Sequence, residues 1–153
     1  MQEFRVLVVD DEVDFLETMV NRLKKRNLDV VGVESGEKAI QLLDKQVFDV
    51  VILDVKMPGM DGVETLREMK RLRPLMEVIM LTGHASIESG IEGMKLGAFD
   101  YIMKPADLDD LIEKMRAAYQ KKAEHEEKIR RAKIKELEGH PGRIFEQLKE
   151  EKE

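Results

Sequence analysis

Asp10-Asp11, Asp54, Thr82 and Lys104 are the residues of this chain that could do chemistry together. Each follows a short apolar run: FRVLVV (4–9), FDVVIL (48–53), EVIML (77–81) and FDYIM (99–103). A carboxylate at the end of a buried strand is costly unless it is paired or has chemical work to do. Singly, each residue has an ordinary explanation. Asp10 or Asp11 can cap a helix. Asp54 can accept N–H bonds in a loop whose turn signals, Pro58-Gly59 and Asp61-Gly62, follow at once. Thr82 and Lys104 can be plain strand-end residues. Three carboxylates at one rim are harder to explain. Two unit charges about 4 Å apart repel by roughly 4 kcal/mol at an effective dielectric near 20. Either one carboxyl stays protonated or a cation sits among them. With oxygen ligands, no cysteine and no nearby histidine pair, Mg²⁺ fits better than zinc. A metal-bound carboxylate beside a lysine and a hydroxyl suits phosphoryl transfer to the carboxylate, with aspartate as nucleophile.

That chemistry needs the groups to converge, which depends on the elements that carry them. A fifth apolar run, LDVVGV (28–33), joins the four above. Segments of helical periodicity lie between. The first, from Val13, puts Phe15, Leu16, Met19, Val20 and Leu23 on one stripe. GEKAIQLLDK and GVETLREMKRL follow the same rule, the latter opening on a capping-box pattern, Asp61 to Glu64. A fourth helix is predicted over 86–96 and a fifth from near Asp107. Strand runs without polar alternation imply burial on both faces, and one-for-one alternation with helices implies parallel βαβ units. The expected fold is a flavodoxin-like, doubly wound five-stranded parallel sheet in the order 2-1-3-4-5 with five helices. In that order strands one, three, four and five are neighbours, and their carboxyl ends form one crevice.

The 153 residues suffice for one ordinary domain with a core. Charged residues make up 38%, against roughly 25% in a typical globular protein, and the excess is local. Residues 121–153 hold ten Lys/Arg and nine Asp/Glu, so residues 1–120 carry about −7 of the net −6. An acidic body argues against direct nucleic-acid binding. The opening MQEFRVLVVDDE turns acidic too soon for a signal peptide, and no apolar stretch approaches the roughly 18 residues that would span a membrane. A cytoplasmic location is the expectation.

Over about residues 3–120 the chain resembles the receiver domain of bacterial two-component response regulators. The resemblance rests on VLVVDDE, DVVILDVKMPGMDG, VIMLTGHA and AFDYIMKPAD, in order and at intact spacing. It implies that Asp54 is the phosphoacceptor and a sensor histidine kinase the donor. Asp11 and Asp54 would ligate Mg²⁺ directly, with the Lys56 backbone carbonyl as third protein ligand and Asp10 on a metal-bound water. Thr82 and Lys104 would bind the phosphoryl group, and Lys104-Pro105 would be a cis peptide. Thr82 moving toward the phosphoryl group would leave space for Tyr101 to turn into, switching a face made of the fourth helix, fifth strand and fifth helix, through which a downstream protein is contacted. Lys56 and His84 occupy the two rim positions that tune water access in this family. Such a domain catalyses only its own phosphorylation and dephosphorylation and is not a turnover enzyme. Two other readings compete. An interaction module that is never phosphorylated is disfavoured by the full acidic set and Lys104. An aspartyl-phosphate phosphatase usually carries a second aspartate two residues after the nucleophile, where this chain has Lys56.

Gly90 and Gly93 fall inside the fourth helix, and each costs roughly 1 kcal/mol against alanine. They mark either a marginal, reshapable helix or close packing. The expected domains are a receiver over 1–120 and a charged helical extension over 121–153. In the extension Glu124–Lys128, Glu126–Arg130 and Glu127–Arg131 are favourable i,i+4 pairs. A heptad register from Leu111 reaches Lys122, His125 and Glu136, a poor seam for a homodimer. Gly139-His140-Pro141-Gly142 should stop the helix, leaving Ile144, Phe145 and Leu148 as a small apolar patch on a frayed terminus.

Overall fold

The structure, a computed structural model, describes residues 3–83 and 87–139. Five strands alternate with five helices: β1 Arg5–Val9, α1 Val13–Lys25, β2 Asp29–Val33, α2 Gly36–Lys45, β3 Val50–Leu53, α3 Gly62–Leu72, β4 Glu77–Thr82, α4 Ile87–Lys95, β5 Asp100–Met103 and α5 Leu108–Gly139. All strand pairs are parallel and the order is β2-β1-β3-β4-β5, as the alternation of apolar runs and helical stripes predicts.

Successive side chains of a strand point to opposite faces, so a run apolar at every position must be covered on both sides. Val6, Val8, Ile52, Ile79 and Leu81 pack in one layer with Leu16 and Leu23 of α1 and Leu111 and Met115 of α5. Leu7, Val9, Val51, Leu53 and Met80 pack in the other with Ala39 and Leu43 of α2 and Leu66 and Met69 of α3. In α1 the expected stripe faces inward: Leu16 and Leu23 are buried, and Phe15, Met19 and Val20 pack half-buried against them. α2 and α3 are capped at their amino ends, where Ser35 Oγ accepts from Lys38 N at 3.2 Å and Asp61 Oδ1 from Glu64 N at 2.9 Å. α1 has no such side-chain cap on Glu12. Asn27, at φ 65°, follows its last turn, and its N–H bonds back to Lys24 O.

The register sets the crevice. Val9 pairs with Leu53 and Leu53 with Met80, so the residues that follow β1 and β3 emerge side by side. Asp54 N donates to Val9 O at 2.9 Å, and Lys104 N to Thr82 O at 2.9 Å, carrying the ladder one step beyond the strands. The crevice lies at the carboxyl ends, where the strand order reverses between β1 and β3.

The opposite end is tied by charge. Lys122 Nζ lies 3.2 Å from Asp49 Oδ1, and Lys121 Nζ 3.7 Å from the buried Glu77. Phe4 and Tyr119 stack at 5.1 Å between centroids. The chain forms two compact units, Met1–Lys122 and Ala123–Glu153. Within the second, the Glu127 carboxylate pairs with Arg131 at 3.1 Å and also with Arg130, while Ile129 and Ile134 are about half exposed. α5 runs through to Gly139. His84 and the patch of Ile144, Phe145 and Leu148 lie outside the described residues.

Candidate functional site

Asp54 sits at the end of β3 with 1% of its surface exposed. Its Oδ1 accepts the Val55 N–H at 2.8 Å, whereas Oδ2 is buried with no hydrogen bond of good geometry. Burial is the main influence on this carboxyl and raises its pKa above the ordinary value. The Thr82 side chain draws it back, Asp10 pushes it up, and Lys104 and the Val55 N–H oppose the rise more weakly. A strand buried on both faces delivers the group rigidly, which is also why it is poorly solvated.

Asp10, at the end of β1, is equally enclosed, and its two oxygens have separate partners. Oδ1 accepts the Glu12 N–H at 2.9 Å, and Oδ2 receives the Lys104 ammonium at 2.7 Å. Lys104 comes from the end of β5, lies 3.7 Å from Glu12 Oε1 and sits 3.9 Å above the centre of the Phe15 ring. The Lys104-Pro105 peptide is cis. Thr82 closes β4 and is fully buried.

Carboxylate oxygens of Asp10, Glu12 and Asp54 all lie within 4.8 Å of one another. One ammonium beside three carboxylates leaves negative charge over, and a buried oxygen without a donor is where a cation would gain most. The donors are all oxygen, which suits a hard divalent ion. The acidic residues and Lys104, distant in sequence, therefore do meet. Asp11 is half-buried beside this set, and its carboxylate is not among the three that cluster. Glu12, the third member of the run Asp10-Asp11-Glu12, is the carboxylate that joins Asp10 and Asp54 in this arrangement. The Lys56 side chain is exposed on the loop after Asp54. That loop is closed at its base, where Gly62 N donates to Val55 O at 2.7 Å. A Cβ on Gly62 would fall 2.3 Å from Asp54 O, so only glycine allows the chain to fold back so closely.

Tyr101 is half-buried on β5, and its hydroxyl shares a hydrogen bond of 3.0 Å with Ser89 Oγ of α4. Beside it, Ile87, Gly90, Ile91, Met94, Lys95 and Met103 complete a groove of about 750 Å³. Ile87 is 82% exposed, so the groove is apolar and open.

Residues 6–116 match the model of the response regulator receiver domain. Among curated proteins, the chain is 40% identical over 106 residues to the transcriptional regulatory protein ZraR of Escherichia coli, covering 69% of this chain and 24% of that one. The chain thus spans about a quarter of the length of that relative. Among solved structures it is similar to a CheY-like response regulator receiver domain protein from Methanospirillum hungatei, with TM-score 0.77 and 31% identity over 80% of this chain and 98% of that one. It is also similar to a response regulator from Burkholderia pseudomallei solved with a phosphorylated aspartic acid, a calcium ion and citrate, with TM-score 0.71 and 26% identity over 80% and 73%. With family match, sheet order and acidic crevice in agreement, the chain belongs to the response regulator receiver domain family, the signal-receiving module of two-component systems.

Proposed function

We propose that Asp54 accepts a phosphoryl group from the phosphohistidine of a sensor histidine kinase. The observation that carries this is the buried Asp54 carboxylate, whose Oδ2 has no hydrogen bond of good geometry, beside Asp10 and Lys104. An Asp54 oxygen attacks phosphorus, the P–N bond to the donor imidazole breaks, and that nitrogen keeps the bonding pair. Bound Mg²⁺ supplies neutralisation of the carboxylate and phosphoryl oxygens. Asp11, Asp54 and the Lys56 carbonyl would hold that ion, with Asp10 behind them. Glu12 joins the acidic rim. Lys104 gives the incoming phosphoryl group a fixed positive charge, and Thr82 gives it a hydroxyl donor. The response regulator of Burkholderia pseudomallei, with its phosphorylated aspartic acid and calcium ion, lends support by similarity.

Phosphorylation adds about −1.5 to −2 charges and three acceptor oxygens. Thr82 turns to meet them and Tyr101 follows, exchanging its bond to Ser89 for the space left behind. The output is protein contact through α4, β5 and α5, where the apolar groove beside Tyr101 offers the surface. The chain modifies itself and turns over no other substrate. Among the described residues no helix is long and apolar enough to cross a membrane.

The test uses acetyl phosphate or beryllofluoride with Mg²⁺, read by amide NMR shifts at Thr82, Tyr101 and Lys104. The wild type responds and Asp54→Asn does not. A wild type unchanged by either reagent, or a response retained in Asp54→Asn, overturns the proposal.

A further inference from the structure

The loop carrying Lys56 is anchored at its base by the bond from Gly62 N to Val55 O. Its tip is held from outside, by α2. Glu37, in the first turn of that helix, accepts the Met60 N–H on Oε1 at 2.7 Å. The same oxygen fills the space beside Gly59, where an added Cβ would lie 2.6 Å away. Gly59 has φ +73°, a conformation that side chains other than glycine rarely adopt. Turn and carboxylate are thus fitted to each other. An acidic residue in a first helical turn is common because it complements the helix dipole. That accounts for a glutamate here but not for its reach to an amide 23 residues away in another element. The Met60 N–H is also the largest influence holding the Glu37 carboxyl below its usual pKa.

We propose that Glu37 is a positioning residue for the phosphorylation site, clamping the tip of the loop after β3 so that the Lys56 carbonyl is held ready for Mg²⁺. This rests on the reading of the site given above. A carbonyl on a loop tethered at both ends loses less freedom on binding a metal than one on a loop tethered at its base alone. Glu37 touches neither metal nor phosphoryl group. Its effect passes through the Met60 amide and four residues of backbone.

Charge and hydrogen bonding separate by substitution. Glu37→Gln keeps an acceptor for the Met60 N–H and removes the charge, whereas Glu37→Ala removes both. Mg²⁺ affinity is measured by calorimetry on the full chain, and amide exchange at Gly59 and Met60 is followed without metal. Glu37→Ala is expected to bind Mg²⁺ about fivefold more weakly, below the ~10–100-fold typical when a ligand's direct hydrogen-bond partner is removed. Its Met60 amide exchanges faster while that of Leu43 in α2 does not. Glu37→Gln stays within about twofold of wild type. Unchanged affinity in Glu37→Ala overturns the proposal, as does a loss in Glu37→Gln equal to that in Glu37→Ala, which would make the effect one of field alone. A wild type that binds no Mg²⁺ sinks the site reading instead, and that arm is seen before any Glu37 variant is considered.

Discussion

Lys104 Nζ lies 2.7 Å from Asp10 Oδ2, joining the ends of β5 and β1 across a crevice that also holds Asp54. The Asp10 side chain is 2% exposed and that of Lys104 13%, so the pair is largely shielded from solvent. Removing one member of such a pair leaves the other buried and uncompensated. Lys104→Ala is expected to destabilise the metal-free protein by about 2–3 kcal/mol, below the ~3–5 for a fully enclosed pair because the ammonium end is partly wet. Millimolar Mg²⁺ should restore part of that loss, since a cation among the same oxygens takes over the neutralising role. Urea unfolding with and without Mg²⁺ measures both, and a loss indifferent to Mg²⁺ would count against a cation seat there.

The raised pKa of Asp54, caused first by burial, gives stability a pH dependence of definite sign. Because the folded state holds the proton more tightly than the unfolded chain, the ionised carboxylate opposes folding. Below the unfolded value, about 3.9, both states are protonated and there is no penalty. As pH rises past it the unfolded chain ionises first. Stability then falls until the pH exceeds the raised folded value, above which the cost is constant. The stability advantage of Asp54→Asn over wild type should therefore be small near about pH 3.5, grow as pH rises and level off only above the raised folded value. Mg²⁺ should shrink it. Paired urea titrations across pH decide, and an advantage that is flat with pH contradicts the assignment.

Gly62 tests how tightly the loop base is drawn. A methyl group there would meet Asp54 O at 2.3 Å and Val55 Cα at 2.5 Å, both backbone atoms that cannot swing aside. Gly62→Ala is expected to cost about 3 kcal/mol, at the upper end for overpacking. It should also impair phosphorylation by acetyl phosphate, because the backbone displaced is that of Asp54 and the residue after it.

The two glycines of α4 part company. At Gly90 an added methyl falls 3.6 Å from the Tyr101 ring, an ordinary contact, so Gly90→Ala should stabilise by about 1 kcal/mol through helix propensity. At Gly93 it falls 2.6 Å from Met80 Sδ in the core, so Gly93→Ala should destabilise by about 1 kcal/mol despite the same gain in propensity. Close packing explains Gly93, while Gly90 has room for a methyl group and costs α4 helix propensity. Thermal melts of the two variants, with amide exchange compared between α4 and α3, separate these roles.

Much of the fold was legible in advance because it depends on local repetition. Runs such as VVIL, short, rich in β-branched residues and apolar at every position, read as strands covered on both faces, and the stripe of Leu16, Val20 and Leu23 as the inward face of a helix. Asp10, Asp54 and Lys104 stood out because each interrupts such a run, and a charge at a buried strand end is visible without coordinates. Contacts between elements distant in the chain were not legible. Neither residue type nor spacing says that Glu12 rather than Asp11 comes within 4.8 Å of Asp10 and Asp54, because side-chain direction at the entry to α1 depends on where Lys104 and Phe15 lie. The reach of Glu37 to Met60 N and the bond between Ser89 and Tyr101 likewise join residues 23 and 12 positions apart in different elements. Periodicity carries which face of an element is buried, but the distance between two faces is settled only when the helices pack on the sheet.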